Sequence, residues 1–308
     1  MIEHKKISVN KGGVRLDAAL LSYFPSSTRS FIREAIASGD IQVNGRAALK
    51  GVKLKGGEEI FVKRLLEAQD NLVRPVSDPS IKAIFEDSDL LAFDKPAGMS
   101  VQPLSCTETG TLMNSVAAKY PECRALGDRP LMSGALHRID TNTSGLVLVA
   151  RNAAAFNSMR EQFANQSVRK TYLALVEGSV ATGGILENDL VHDPTLPYCK
   201  MIDINSRNAP RSPQRIFHAV TKYSPIQHYT VECEERTLLK VEIYTGVTHQ
   251  IRAQLAIAHM HIINDRLYGA FAVEDMQGHA LHALSAAFRH PSSGDETEIQ
   301  TAFPYWAK

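Results

Sequence analysis

The chain has 308 residues, of which 44% are hydrophobic and 22% charged, and 34 Lys+Arg stand against 33 Asp+Glu. That length allows one large domain or two ordinary ones, and the balance excludes a disordered chain, a collagen-like repeat and a small disulfide scaffold. No apolar run approaches the ~20 residues that span a bilayer, and the opening MIEHKKISVNKGG has no apolar signal core, so a cytoplasmic protein with no membrane partner is expected.

The charge is unevenly spread. Residues 1–66 hold 12 Lys+Arg and 6 Asp+Glu, a net of +6, while the remainder is net acidic. Such a block reads as a separate module for a polyanion, or as a solvated surface with an excess of lysine. Within it Leu16, Ala19, Leu20 and Tyr23 recur at helical spacing, and Pro25 ends that helix. Ser26, Ser27 and Thr28 offer N-caps for a second helix with Phe31, Ile32, Ala35 and Ile36 on one face. Ile41 and Val43 before Asn44-Gly45 read as a strand and turn, and Val52, Leu54, Ile60 and Val62 as further strand residues. The apolar pattern fails between Leu66 and Ser80, so a small domain over 1–66, a linker over 67–80 and a second domain over 81–308 are expected.

From Ile81 short apolar runs such as LLAFD, GLVLVA, YLALVEG and LKVEIY alternate with turns, and helical text covers 111–119, 152–166 and 248–260. Strands dominate, so the expected class is α+β. Cys106, Cys123, Cys199 and Cys233 form no CxxC pair and read as free thiols.

Three polar clusters stand out. In HRIDTNTSGLVLVA, Asp140 precedes a turn and an apolar strand; it is either a turn cap or a carboxylate tuned at the edge of the core. In TGVTHQIRAQLAIAHMH, Thr248 can N-cap a helix that carries Arg252 in its first turn. The helix dipole opposes a cation there, so Arg252 is a tolerated surface residue or has an anionic partner such as Asp140 or a phosphate. In KTYLALVEG, Tyr172 opens an apolar strand and reads first as core. His249, His259 and His261 lie in a helical pattern and do not make a zinc site.

Together these segments resemble the RluA-class pseudouridine synthases. HRIDTNTSGL is similar to that family's H-R-L-D-x-x-T-S-G-L signature, AFDKPAGMSVQP to its D/N-K-P-x-G segment, KTYLALVEG to its K-x-Y-x-A-x-V-x-G strand, and THQIR with HIINDRLYG to its T-H-Q-I-R … D-x-x-Y-G block. The four occur in family order over residues 81–290. The N-terminal block resembles the alpha-L RNA-binding module that many members carry.

The resemblance implies a mixed, mainly antiparallel sheet with flanking helices. It implies isomerisation of uridine to pseudouridine in RNA, in ribosomal large-subunit RNA by family habit, with transfer RNA or a non-catalytic RNA-binding scaffold as alternatives. Asp140 aligns with the essential aspartate, Tyr172 with the active-site tyrosine, and Arg252 with the basic residue that pairs with the aspartate. Arg138 aligns with the arginine that replaces a flipped base. The reaction needs no cofactor, and no metal or obligate protein partner is implied. RNA phosphate contacts are expected from Arg29, Arg33, Arg46, Lys50, Lys53 and Lys55. The chain departs from the family at Val247, Gln254, His259 to Ile262, Asn264 and Thr141-Asn142, which removes positive charge from the expected RNA face.

Overall fold

The computed structural model describes the chain except for Lys11, 196–199, Glu232 and Lys308. It divides into two units, Met1–Arg74 with Leu104–Glu108, and Pro75–Pro103 with Thr109–Lys308. The division falls inside the segment 67–80, which also holds a short 3-10 turn at Ala68–Asn71.

In the first unit, helices α1 (Leu16–Tyr23) and α2 (Arg29–Ala37) accompany a four-stranded sheet: β1 (Ile2–Ser8), β2 (Ile41–Val43), β3 (Arg46–Ala47) and β4 (Glu59–Leu65), ordered β1-β4-β2-β3. Thr28 is the cap of α2, accepting from Phe31 N at 3.3 Å. Ile32, Ala35 and Ile36 pack with Leu16, Leu20, Ile41, Ile60 and Val62 in one core. Asn44 and Gly45 both adopt positive φ (50° and 74°), the conformation that a two-residue hairpin demands. Strand β1 has no counterpart among the expected elements, because IEHKKIS shows no alternation of buried and exposed residues. Val52 and Leu54 lie outside the strands; only an isolated bridge between Arg15 and Lys53 forms there.

The second unit is built on a ten-stranded sheet. Its strands are β5 (Ala83–Glu86), β6 (Leu90–Lys95), β7 (Ser144–Ala150), β8 (Arg169–Glu177), β9 (Gly184–His192), β10 (Met201–Asp203), β11 (Phe217–Val231), β12 (Glu234–Ile243), β13 (Leu281–Arg289) and β14 (Glu296–Gln300). They run in the order β10-β9-β11-β12-β8-β13-β7-β6-β5, with β14 on β13. All these pairings are antiparallel except β7 with β13, where Gly145 faces Ala283. A Cβ at Gly145 would sit 2.2 Å from the Ala283 carbonyl oxygen, and its φ is +111°, so only glycine lets these strands meet. Helices α3 (Leu112–Lys119), α4 (Ala153–Ala164) and α5 (Gln250–Ile257) flank the sheet. The mixed, mainly antiparallel α+β expectation holds. Thr111 and Asn152 cap α3 and α4 through their side chains.

Cys106, Cys123 and Cys233 are free thiols as expected, and burial pushes the Cys123 thiol up to about 12; Cys199 lies outside the described residues. No helix among the described residues is long and apolar enough to cross a membrane.

Candidate active site

The HRID segment ends in a turn closed by Thr143 N donating to the Asp140 carbonyl at 3.1 Å. Buried Lys95, at the end of β6, holds this turn against the following loop. Its Nζ donates to the carbonyls of Pro96 (2.8 Å), Met99 (2.6 Å) and Thr141 (3.1 Å). Gly98 N also reaches Thr141 O at 2.8 Å. From the other side, Thr143 Oγ1 meets His279 Nε2 at 2.7 Å, and Ser144 Oγ meets His282 Nδ1 at 2.8 Å. The turn is thus over-determined, and the Asp140 side chain is released from capping it. It accepts instead from Arg252 Nη1 at 2.7 Å.

Arg252 is the third residue of α5, in the first turn as its place in the sequence implied, but the cap differs from expectation. The N-cap is His249, not Thr248, with φ 53° and no side-chain cap bond. A left-handed conformation at a histidine is uncommon and strained. Gln250 holds the strained entry: its Oε1 accepts from Thr245 Oγ1 (2.8 Å) and Val247 N (3.2 Å), and its Nε2 donates to Val220 O (3.0 Å). One turn on, fully buried Gln254 donates through Nε2 to Leu186 O, Asn188 Oδ1 and Ala219 O and accepts from Thr221 Oγ1. The departure at Gln254 is therefore interior, and it leaves the charge of the RNA face unchanged. Met260 and Ile262 are likewise buried. Val247 does line the cavity mouth and packs beside Leu190, Met201 and Tyr268.

Arg252 has a second anion that the sequence alone did not assign. Asp265, 2% exposed, takes the Nε–Nη2 edge of the guanidinium at 2.7 and 2.8 Å. The guanidinium carbon of Arg252 lies over the Tyr268 ring, 5.1 Å from its centre. Tyr268 in turn has its hydroxyl 3.2 Å from His249 Nδ1, and His249 Nε2 lies 3.7 Å from Asp140 Oδ2. The signal was in the D-x-x-Y-G segment: an aspartate and a tyrosine three apart, beside a helix that needed an anion.

Tyr172 in β8 and Asp140 line one cavity of about 670 Å³, with Arg252, His249, Lys170, Arg138, Phe163, Arg215 and Tyr244 among its walls. Tyr172 is 8% exposed, and its hydroxyl has no hydrogen-bond partner among the described residues. Arg138 is exposed at the rim. Arg29, Arg33, Arg46, Lys50 and Lys53 are all exposed in the first unit, where Arg29 and Arg33 border a hollow with Arg15 and Leu21.

Burial by itself would raise the Asp140 pKa, but the facing His249 and Arg252, with the Arg252 hydrogen bond, outweigh it and hold the carboxyl below its usual range. Burial lowers the His249 pKa, against the opposing pull of the Asp140 charge. Burial first, and the Asp140 charge second, push the Tyr172 hydroxyl up, so it stands as a neutral phenol. His259 and His261 do not converge on His249: His261 Nδ1 bonds the Tyr268 carbonyl at 2.8 Å. The one cluster with metal-ligand spacing among the described residues is Asp87, Asp89 and His290, away from this cavity. Its oxygens are already taken by Asp89 N, Leu90 N, Asn152 and Ser292.

A half-buried carboxylate paired with a doubly held arginine thus shares a cavity of about 670 Å³ with a tyrosine. The chain belongs to the RNA pseudouridylate synthase family, which matches residues 89–257; an S4 domain matches residues 14–60. It is an RNA pseudouridine synthase. It is 31% identical over 305 residues to ribosomal large subunit pseudouridine synthase D of Xanthomonas campestris pv. campestris, covering 95% of this chain and 86% of that protein. It is 30% identical to an uncharacterized RNA pseudouridine synthase of Bacillus subtilis strain 168, covering 94% and 90% of the two chains. Among solved structures, human RNA pseudouridylate synthase domain containing 1 shares the fold, with a TM-score of 0.60 and 21% identity over 76% of this chain and 87% of that one.

Proposed function

We propose that this enzyme isomerises specific uridines of large-subunit ribosomal RNA, with Asp140, Tyr172 and Arg252 as its catalytic residues. The observation that carries the site assignment is the Asp140–Arg252–Asp265 chain of ion pairs on the wall of a cavity shared with Tyr172. The relatives named for the ribosomal large subunit support the substrate.

Pseudouridine formation breaks the N1–C1′ bond, turns the freed base and rejoins it through C5. Asp140 attacks C1′ or removes a sugar proton. Either role needs an ionised carboxylate, and the facing His249 and Arg252, with the Arg252 hydrogen bond, favour that form. Glycosidases share the attack on a glycosidic carbon but use paired carboxylates; Asp265 is no second one, because Arg252 occupies both of its oxygens. Tyr172 stacks on the base and assists loss of the C5 proton. As a neutral phenol it accepts that proton only while passing its own on. Arg138, at the rim, fills the stack from which the base is drawn and offsets part of a cost of a few kcal/mol.

The exposed Arg29, Arg33, Arg46, Lys50 and Lys53 of the S4 unit supply phosphate contacts. Replacing Arg29 and Arg33 by Gln lowers the slope of log affinity against log salt by about 0.7–0.9 for each phosphate no longer neutralised. The reading as a whole is tested by a chemical pseudouridine map of cellular RNA from wild type, deletion strain, and deletion strain carrying Asp140→Asn. A ribosomal site lost on deletion and unrestored by the variant supports it. A lost site in transfer RNA moves the substrate, and no lost site leaves an RNA-binding role on this scaffold.

A further inference from the structure

Two lysines are buried near this site, and they are placed very differently. Lys95 spends all three of its donors on backbone carbonyls and holds a turn. Lys170, 7% exposed, lines the reaction cavity and has one hydrogen bond, to the Thr245 carbonyl at 2.5 Å. The Phe163 ring lies 5.8 Å from its Nζ. Among the described residues no carboxylate pairs with it.

A buried ammonium without a counter-charge is costly in an empty site. Burial lowers its pKa only to about 8, so it is largely protonated at pH 7. Two residues along β8, on the same face of the strand, stands Tyr172. The two Cα positions are therefore roughly 7 Å apart along the strand. Arg138 and Arg215 line the same cavity, and among the described residues the one carboxylate on its wall, Asp140, is paired with Arg252.

We propose that Lys170 binds a backbone phosphate next to the target uridine, so that the RNA brings the missing negative charge into the cavity. This rests on the reading of the cavity as the uridine site. It assigns Lys170 a role in holding substrate, distinct from bond breaking at Asp140.

The test uses the full-length protein and an RNA fragment spanning a site that the wild-type enzyme modifies. Failure of the wild type on every RNA would overturn the functional reading itself, before Lys170 enters. With an active wild type, Lys170→Met raises KM by about ten- to a hundredfold, while Lys170→Arg restores most of the affinity. A neutral methylphosphonate is then placed at the phosphate 5′ or 3′ to the target uridine. At one of these positions it penalises the wild type about tenfold and Lys170→Met no further. Penalties that add fully in the variant at both positions overturn the proposal and leave Lys170 as a pin for Thr245. So does a variant that loses melting temperature and kcat with KM unchanged. If Lys170→Met does not fold, the same comparison is made between Lys170→Arg and wild type with and without the methylphosphonate. A guanidinium that keeps the charge must then show the same single sensitive position, and its absence overturns the assignment.

Discussion

Asp265 grips Arg252 along one edge, through Nε and Nη2, and so turns Nη1 toward Asp140. The two carboxylates share one guanidinium, and the whole group carries a single net negative charge. Without Asp265, Arg252 would retain its attraction to Asp140 but lose the constraint on its plane. Asp265→Asn is expected to destabilise the protein by about 2–3 kcal/mol, less than for a fully orphaned buried charge because Asp140 remains. It should also lower kcat more than it changes KM. Thermal melting with steady-state kinetics checks this. Unchanged melting and kcat would show that Arg252 needs no second anion.

Asp140→Asn removes the ionised group and leaves Arg252 bound to Asp265, so the fold should persist. Activity is expected to fall by at least about 10²–10⁴-fold. Tyr172→Phe keeps the ring for stacking but has no hydroxyl to relay a proton, and a loss in the same range is expected with little change in melting. A phenylalanine variant with wild-type kcat would assign Tyr172 to stacking alone. Pseudouridine formation in a defined RNA fragment is the assay.

Gly145→Ala should be far more damaging than its size suggests. The added Cβ meets the Ala283 carbonyl at 2.2 Å and sits on a backbone with φ +111°. The β7–β13 junction must open, which carries His282 away from Ser144 and disturbs the turn that presents Asp140. A loss of about 2–4 kcal/mol is expected in chemical denaturation. An alanine variant as stable as wild type would mean that the two strands part without cost.

Three histidines around the site make stability depend on pH. Burial lowers the His137 pKa to about 3, and those of His279 and His282 to about 4. In the unfolded chain each titrates near ~6.5. Between these values the unfolded state binds protons that the native state does not, so stability is full above about pH 6.5 and falls as pH drops through 6 and 5. Melting temperature measured from pH 7.5 to 4.5 should decline steadily below about 6.5. His282→Asn should flatten part of the decline, and a level profile in the wild type would contradict the burial of these rings.

Much of this was legible in the chain itself. Helical periodicity placed α1, α2, α3 and α4. Asn44-Gly45 gave the hairpin turn, and alternating apolar runs gave an α+β class, because each is a local preference of backbone and side chain. The position of Arg252 near a helix start, where the dipole opposes a cation, offered an anionic partner as one of two readings, beside a tolerated surface residue. What the residues alone left open was whether Asp140 caps its turn and whether Tyr172 is mere core. On the first point the structure shows the Lys95, His279 and His282 contacts holding the turn while the Asp140 side chain pairs with Arg252; on the second, Tyr172 is buried and also borders the cavity. Strand β1 leaves no mark in the sequence pattern because its exposed charged face hides the period, and the cap of α5 falls at His249 instead of Thr248 because Gln250 stabilises a conformation that a histidine would not adopt alone. The second clamp on Arg252, the interior place of Gln254 and the absence of a counter-charge at Lys170 among the described residues were decided by tertiary structure. Each depends on which distant groups meet in a low-dielectric interior, and local sequence does not encode that meeting.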